Sequence, residues 1–98
     1  MKVSITEQDI KEGTCNNTEW CAFALALRRA FGHKLIHVAV SHTVIVGFTR
    51  GGYRHYKEAQ LTPALRSFIN NYDHHRPVSP MDVEVGFKPL NLSDPRSK

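Results

Sequence analysis

The chain has 98 residues, of which 41% are hydrophobic and 22% charged, and its formal net charge is +4. This length makes one small domain, and the composition excludes an intrinsically disordered chain. No apolar run approaches the about 20 residues of a membrane-spanning helix, and the first residues lack the apolar core of a signal peptide. With only two cysteines as well, the sequence predicts a cytoplasmic protein without disulfides.

The first two predicted elements are a strand and a helix. Val3 and Ile5 alternate with polar neighbours, which is typical of a half-buried strand ending before Gly13. A helix is predicted to follow, with Asn16 and Glu19 spaced as a capping box and Gly32 as the C-terminal stop. Its apolar stripe repeats at three- and four-residue spacing and comprises Trp20, Phe23, Ala24, Leu27, Ala30 and Phe31.

Residues 35–58 are rich in β-branched and aromatic side chains and predict an antiparallel meander. Runs 35–41 and 43–49 form two strands, and the Gly51-Gly52 pair forms a turn into a third run at 53–58. In the strand at 35–41, Ile36 is expected to face the core and His37 to be partly solvated.

A second helix is predicted to begin at Thr62-Pro63 and to end by Arg76, because proline follows. Residues 81–87 alternate as a last strand, and this strand is expected to pair with the first. The predicted fold is a single α+β domain over residues 1–87, with a flexible tail at 88–98. Its order is β-α-β-β-(β)-α-β, with two helices packed on one face of a mostly antiparallel sheet.

The two cysteines, Cys15 and Cys21, are separated by five residues, which is wider than the usual spacing of structural zinc ligands. The histidines show no metal-binding spacing either. The expectation is a capped helix with a buried Cys21, and neither a metal, a cofactor nor a catalytic residue. Two alternatives stay open. One is a zinc site, structural or catalytic, in which histidines complete the ligands. The other is an enzyme with a catalytic cysteine near the helix start and a distant histidine as its base.

Basic residues alternate with tyrosines around the Gly51-Gly52 turn. Further basic residues lie near the end of the first predicted helix. This combination suits an acidic protein surface or a single-stranded nucleic acid. The predicted partner-binding residues are Arg50, Tyr53, Arg54, Tyr56, Lys57, Arg28 and Arg29. The alternative is a solvated hairpin whose tyrosine rings cover the sheet.

The sequence resembles small uncharacterised proteins of bacteriophages and prophages. The matching stretches are Ile10 to Gly13, the CAFALAL run from Cys21 to Leu27, Leu61 to Asp73, and Pro77 to Met81. Two features differ from the family pattern. Ala22 stands where the family has a helix-opening proline, and the cysteine spacing is wider.

The resemblance implies a phage-encoded, non-enzymatic accessory protein acting in the cytoplasm of the host bacterium. Such a protein would bind and inhibit a bacterial defence component, most simply as an anti-CRISPR protein that blocks a CRISPR–Cas effector. Its partner would be a host protein or ribonucleoprotein complex. The alternatives are a nucleic-acid-binding regulator, and a sponge that holds a nucleotide immune signal between protomers. No membrane partner is expected, and both a monomer and a homodimer stay open.

Overall fold

The computed structural model describes residues 1–90 and has the mixed α+β architecture that the sequence predicts. In chain order the elements are β1 Lys2–Ile5, α1 Glu7–Glu12, α2 Ala22–Phe31, a 3-10 turn Gly32–Lys34, β2 Leu35–Val40, β3 Thr43–Arg50, β4 Tyr53–Gln60, α3 Pro63–Asp73, β5 Met81–Glu84 and β6 Lys88–Pro89. Strand β6 lies in the stretch assigned to the tail, and residues 91–98 of that tail lie outside the described part. Within residues 1–90, no helix has the length and apolar character needed to cross a bilayer.

The strands are divided between two antiparallel sheets. β1 and β5 form a two-stranded sheet in which Val3 lies opposite Val83, so the expected pairing of the first and last predicted strands is confirmed. The N-terminal ammonium reinforces this pairing through Glu84 Oε2 at 2.8 Å and the Val85 carbonyl at 2.9 Å. The other sheet has the strand order β2-β3-β4-β6.

A β-bulge changes the expected orientation of β2. Leu35 lies opposite Phe48 and His37 opposite Gly47, so Ile36 is an extra residue without a partner on β3. Ile36 is 46% exposed, and the prediction that it faces the core is wrong. His37 is exposed, as expected.

The core forms where helices α2 and α3 cover one face of the larger sheet. α2 contributes Phe23, Ala24 and Leu27, all fully buried. The remaining large contributions come from Leu65, Phe68 and Tyr72 of α3 and from Val38, Val44 and Val46 of the sheet. Helix α2 also contacts β1, and it therefore joins the two sheets into one core.

Helix α2 begins later than its apolar stripe suggests. Its N-cap is Cys21, and the expected capping box between Asn16 and Glu19 does not form. Instead, Asn17 Oδ1 accepts the backbone N–H groups of Glu19 and Trp20 in a local turn. Residues 16–21 are therefore not helical, and Trp20, expected in the core, is 47% exposed.

A capping box occurs at helix α1 instead, and this helix was not predicted from the sequence. Thr6 Oγ1 accepts the N–H of Asp9, and Asp9 Oδ2 accepts the N–H of Thr6 at 2.9 Å. Asp9 also receives both arms of the Arg29 guanidinium, at 2.7 and 2.8 Å, and Arg29 donates to the Ser4 carbonyl. One arginine on α2 thus holds β1 and α1 in place.

Burial by itself would raise the pKa of the Asp9 carboxyl, whose residue is only 3% exposed. The hydrogen bonds from Arg29 and from the Thr6 backbone outweigh this effect and hold the pKa below its usual value of 3.8. The charged form of Asp9 is therefore the one that stabilises the fold.

We predict that Arg29→Ala lowers the free energy of unfolding by about 2–3 kcal/mol, because it leaves a buried carboxylate without its cation. The double variant Asp9→Asn/Arg29→Ala should lose less than the sum of the two single losses. Urea denaturation at neutral pH measures both. Because the pKa of Asp9 is lowered in the folded state, the contribution of the pair is present above pH 3.8 and is lost as the pH falls through the folded-state value. Equal stabilities of Arg29→Ala and the wild type would contradict this account.

Candidate functional site

The β3–β4 hairpin carries most of the predicted partner-binding residues. Gly51 and Gly52 both have positive φ, 60° and 83°, as a type I′ turn requires, and that turn matches the twist of the paired strands. All eight residues of β3 pair with β4 in continuous register. The predicted turn is confirmed, and it places the basic residues on a two-stranded ribbon whose backbone is fully paired.

The end of this ribbon extends beyond the core. Phe48 is the last buried residue of β3, and residues 49–55 are all exposed. Tyr53 is 74% exposed. We call residues 49–57 the hairpin tip. The core is complete without the side chains at its end, which leaves that end available to a partner.

The register divides the candidate residues of the hairpin tip between two faces. Arg50 lies opposite Tyr53, and Lys57 opposite the buried Val46, so these three residues share the face that the helices cover further along the sheet. Arg54 and Tyr56 lie on the other face, which carries no helix.

On the helix-side face, aromatic and basic groups lie against each other. Phe48 stacks with His55 at a centroid distance of 5.7 Å, and the Lys57 ammonium lies 5.8 Å from the Phe48 ring. Phe31 of helix α2 packs on the same ring at 5.5 Å. These contacts connect the hairpin tip to the core and fix its direction.

On the open face, Tyr56 packs over Gly47. A Cβ atom at Gly47 would lie 2.8 Å from the Tyr56 ring, which is too close for any other residue without displacement of that ring. His37 also lies beside this glycine, and Ile36 lies in the bulge next to it. Tyr56, His37 and Arg54 therefore form a partly aromatic surface on one side of the sheet.

The cations of the hairpin tip have no carboxylate partner within residues 1–90. The ion pairs in this part of the chain join the N-terminus to Glu84, Lys2 to Asp82 and Arg29 to Asp9. Arg50, Arg54 and Lys57 consequently give the tip an uncompensated positive charge.

Arg28 and Arg29, which were predicted to share the binding surface, make bonds at helix α2. Arg29 is held by Asp9. Arg28 donates two hydrogen bonds to the Glu19 carbonyl, and its guanidinium lies 3.9 Å from the centre of the Trp20 ring. The structure thus gives both arginines a role in holding the segment before α2 and the segment around α1.

The two cysteines occupy different environments. Cys21 is buried, as expected, and burial raises the pKa of its thiol. Cys15 is half-buried and donates its S–H to the Tyr72 carbonyl at 3.0 Å, with His75 Nδ1 at 3.8 Å. The contact with His75 was not predicted, because it joins residues that are 60 positions apart.

Within the described part of the chain, no group of three or more His, Cys, Asp or Glu residues is arranged to hold a metal ion. No family model, curated protein or solved structure matches this chain. Its function is therefore inferred from its own residues.

We predict that N-ethylmaleimide modifies Cys15 in the folded protein and leaves Cys21 unmodified until the chain unfolds. Cys21 is 4% exposed and has a raised thiol pKa, so both access and thiolate fraction are low. Mass spectrometry of Cys15→Ser and Cys21→Ser variants, labelled with and without urea, separates the two thiols. Rapid labelling of Cys21 without urea would contradict the placement of this side chain.

Proposed function

We propose that this chain is a phage-encoded, non-enzymatic protein that binds and inhibits a bacterial defence component, most simply a CRISPR–Cas effector. The observation that carries the binding role is the hairpin tip: a fully paired, exposed ribbon with tyrosines and three cations that have no carboxylate partner within residues 1–90. The phage origin and the defence target come from the resemblance of the sequence to phage proteins. Tyrosine and arginine are among the residues that most often dominate protein–protein binding energies.

The backbone pairing of the hairpin tip supports a binding role. Its backbone is already paired through the whole of β3 and β4, so a partner need not order it. Binding then costs less conformational entropy than it would with a flexible loop of the same sequence. The tip is preorganised for one partner surface.

The distribution of charge suggests what that surface looks like. Arg50 and Lys57 lie on one face of the ribbon and Arg54 on the other. A flat acidic surface could contact only one face at a time, whereas an acidic cleft could contact both. We therefore propose that the tip inserts into an acidic cleft of a host protein or ribonucleoprotein complex.

The environments of the thiols also support binding rather than catalysis. Cys15 donates to a backbone carbonyl, and Cys21 is buried with a raised pKa. The burial of Cys21 disfavours the thiolate that a cysteine nucleophile requires.

A second candidate is a nucleic-acid-binding regulator. The observation that favours it is the shared open face of Tyr56, His37 and Arg54, since unpaired bases stack on aromatic rings beside cations. Affinity for a single-stranded oligonucleotide would then fall steeply with salt concentration.

We predict that the triple variant Arg50→Ala/Arg54→Ala/Lys57→Ala loses inhibition while its melting temperature stays close to that of the wild type. The assay is the plating efficiency of a targeted phage on CRISPR-immune bacteria that express the chain. A matched control, Lys11→Ala/Lys34→Ala/Arg76→Ala, removes the same charge from exposed positions outside the hairpin. The control should inhibit as well as the wild type does.

Inhibition by the triple variant at the wild-type level would contradict the role of the hairpin tip. If the wild type does not restore plating but binds a labelled oligonucleotide with a steep dependence on salt, the second candidate replaces the first. Loss of inhibition in both triple variants would show that net charge, and not this surface, is responsible.

A further inference from the structure

A concave site lies at the opposite end of β3 and β4 from the hairpin tip. It is a cavity of about 620 Å³, a volume in the range of ligand pockets. Four separate segments line it: residues 16–21, the β2–β3 turn, the end of β4, and helix α3. Thr43 and Gln60 lie at the cavity, and Arg50 and Tyr53 lie roughly 23 Å away at about 3.3 Å per strand residue. The two sites can therefore be tested separately.

Helix α3 supplies one wall with a polar group at each end. Arg66, Ile69, Asn70 and Asp73 follow at three- and four-residue spacing and share one side of the helix. Arg66 and Asp73 are about 10 Å apart along the axis, by the rise of 1.5 Å per residue. The wall thus runs from a cation to a carboxylate, with an apolar and an amide side chain between them.

The polar groups of this wall have unused bonding capacity. Arg66 makes one long hydrogen bond, at 3.3 Å to the Leu61 carbonyl, and its other donors are left for a ligand. Asp73 Oδ1 accepts the N–H of Asn16, and its second oxygen has no partner within residues 1–90. In the same part of the chain, the side-chain amides of Gln60 and Asn70 make no hydrogen bond.

The floor of the cavity is apolar. Val40, Cys21 and Leu61 are buried beneath it, and Ile69 is half-buried at its side. An apolar floor of this kind suits a flat ring. Primary amides at the edge can bond a heterocycle through one donor and one acceptor, as asparagine and glutamine do with a base edge.

We propose that this cavity binds a nucleotide. The base lies on the floor formed by Val40, Leu61 and Ile69, and the amides of Gln60 and Asn70 bond its edge. Arg66 binds the phosphate, and Asp73 accepts hydrogen bonds from ribose hydroxyls, as acidic residues do in other nucleotide sites. An amino acid also has both charges, but its α-ammonium and α-carboxylate are only a few bonds apart and cannot reach groups about 10 Å apart along the helix. This site is independent of the proposed function of the hairpin tip.

The test is a titration of the isotope-labelled full chain with AMP, GMP, CMP and UMP at millimolar concentration, followed by amide NMR shifts. At least one nucleotide should shift the amides of residues 40–43, 60–61 and 66–73, and adenosine or another unphosphorylated nucleoside should bind more weakly. Arg66→Ala should weaken nucleotide binding by about tenfold or more, as expected for a lost charge-assisted hydrogen bond, and Arg66→Lys by less. The Arg66 side chain is exposed in the wild type, and equal melting temperatures confirm that both variants fold.

The hairpin-tip triple variant serves as the control and should bind the nucleotide as the wild type does. The proposal is overturned if no nucleotide shifts the amides around the cavity, or if the shifts occur only at residues 49–57, which would show general attraction to the basic tip. Equal affinity of wild type and Arg66→Ala would also overturn it.

Discussion

The burial of one face of helix α2 is the interaction on which the rest of the structure depends. Phe23 and Leu27 are fully buried, and α2 contacts α1, β1 and β2. The two sheets are separate ladders, so without this helix they would have no common core. Apolar burial alone does not set the orientation of the packed elements. The bidentate Asp9–Arg29 pair fixes how α1 and β1 lie against α2. Residues 49–55 of the hairpin tip are exposed because the core closes at Phe48.

Patterns within short stretches of sequence predicted the elements whose formation depends on neighbouring residues in the chain. The buried positions Phe23, Ala24 and Leu27 followed from helical spacing, and the Gly51-Gly52 turn from the need for positive φ. The same periodicity predicted the start of this helix too early. The apolar stripe extends back to Trp20, but Asn17 forms a turn there and the helix begins only at Ala22. Helix α1 was missed because it is short and polar, yet Thr6 and Asp9 carried its capping signal.

Contacts between distant residues could not be read from the sequence. The bulge at Ile36 is set by how β2 pairs with β3, and alternation within β2 alone does not reveal an extra residue. Arg29 had the same apparent exposure as Arg28 in the sequence, but its carboxylate partner lies 20 positions earlier. The Cys15–His75 contact and the cavity beside α3 likewise join separate segments. The residues of the hairpin tip were found because they are neighbours in the chain, whereas their division between two faces required the register.

The central claim is that the core closes at Phe48 and leaves residues 49–55 of the hairpin tip outside it. Amide hydrogen exchange of the chain alone tests this most directly. The account predicts that the amides of α2 exchange only through global unfolding, and that those of residues 49–55 exchange through local opening at a much lower free energy. Equal protection of the tip and α2 would contradict it, because the tip would then be part of the cooperative core.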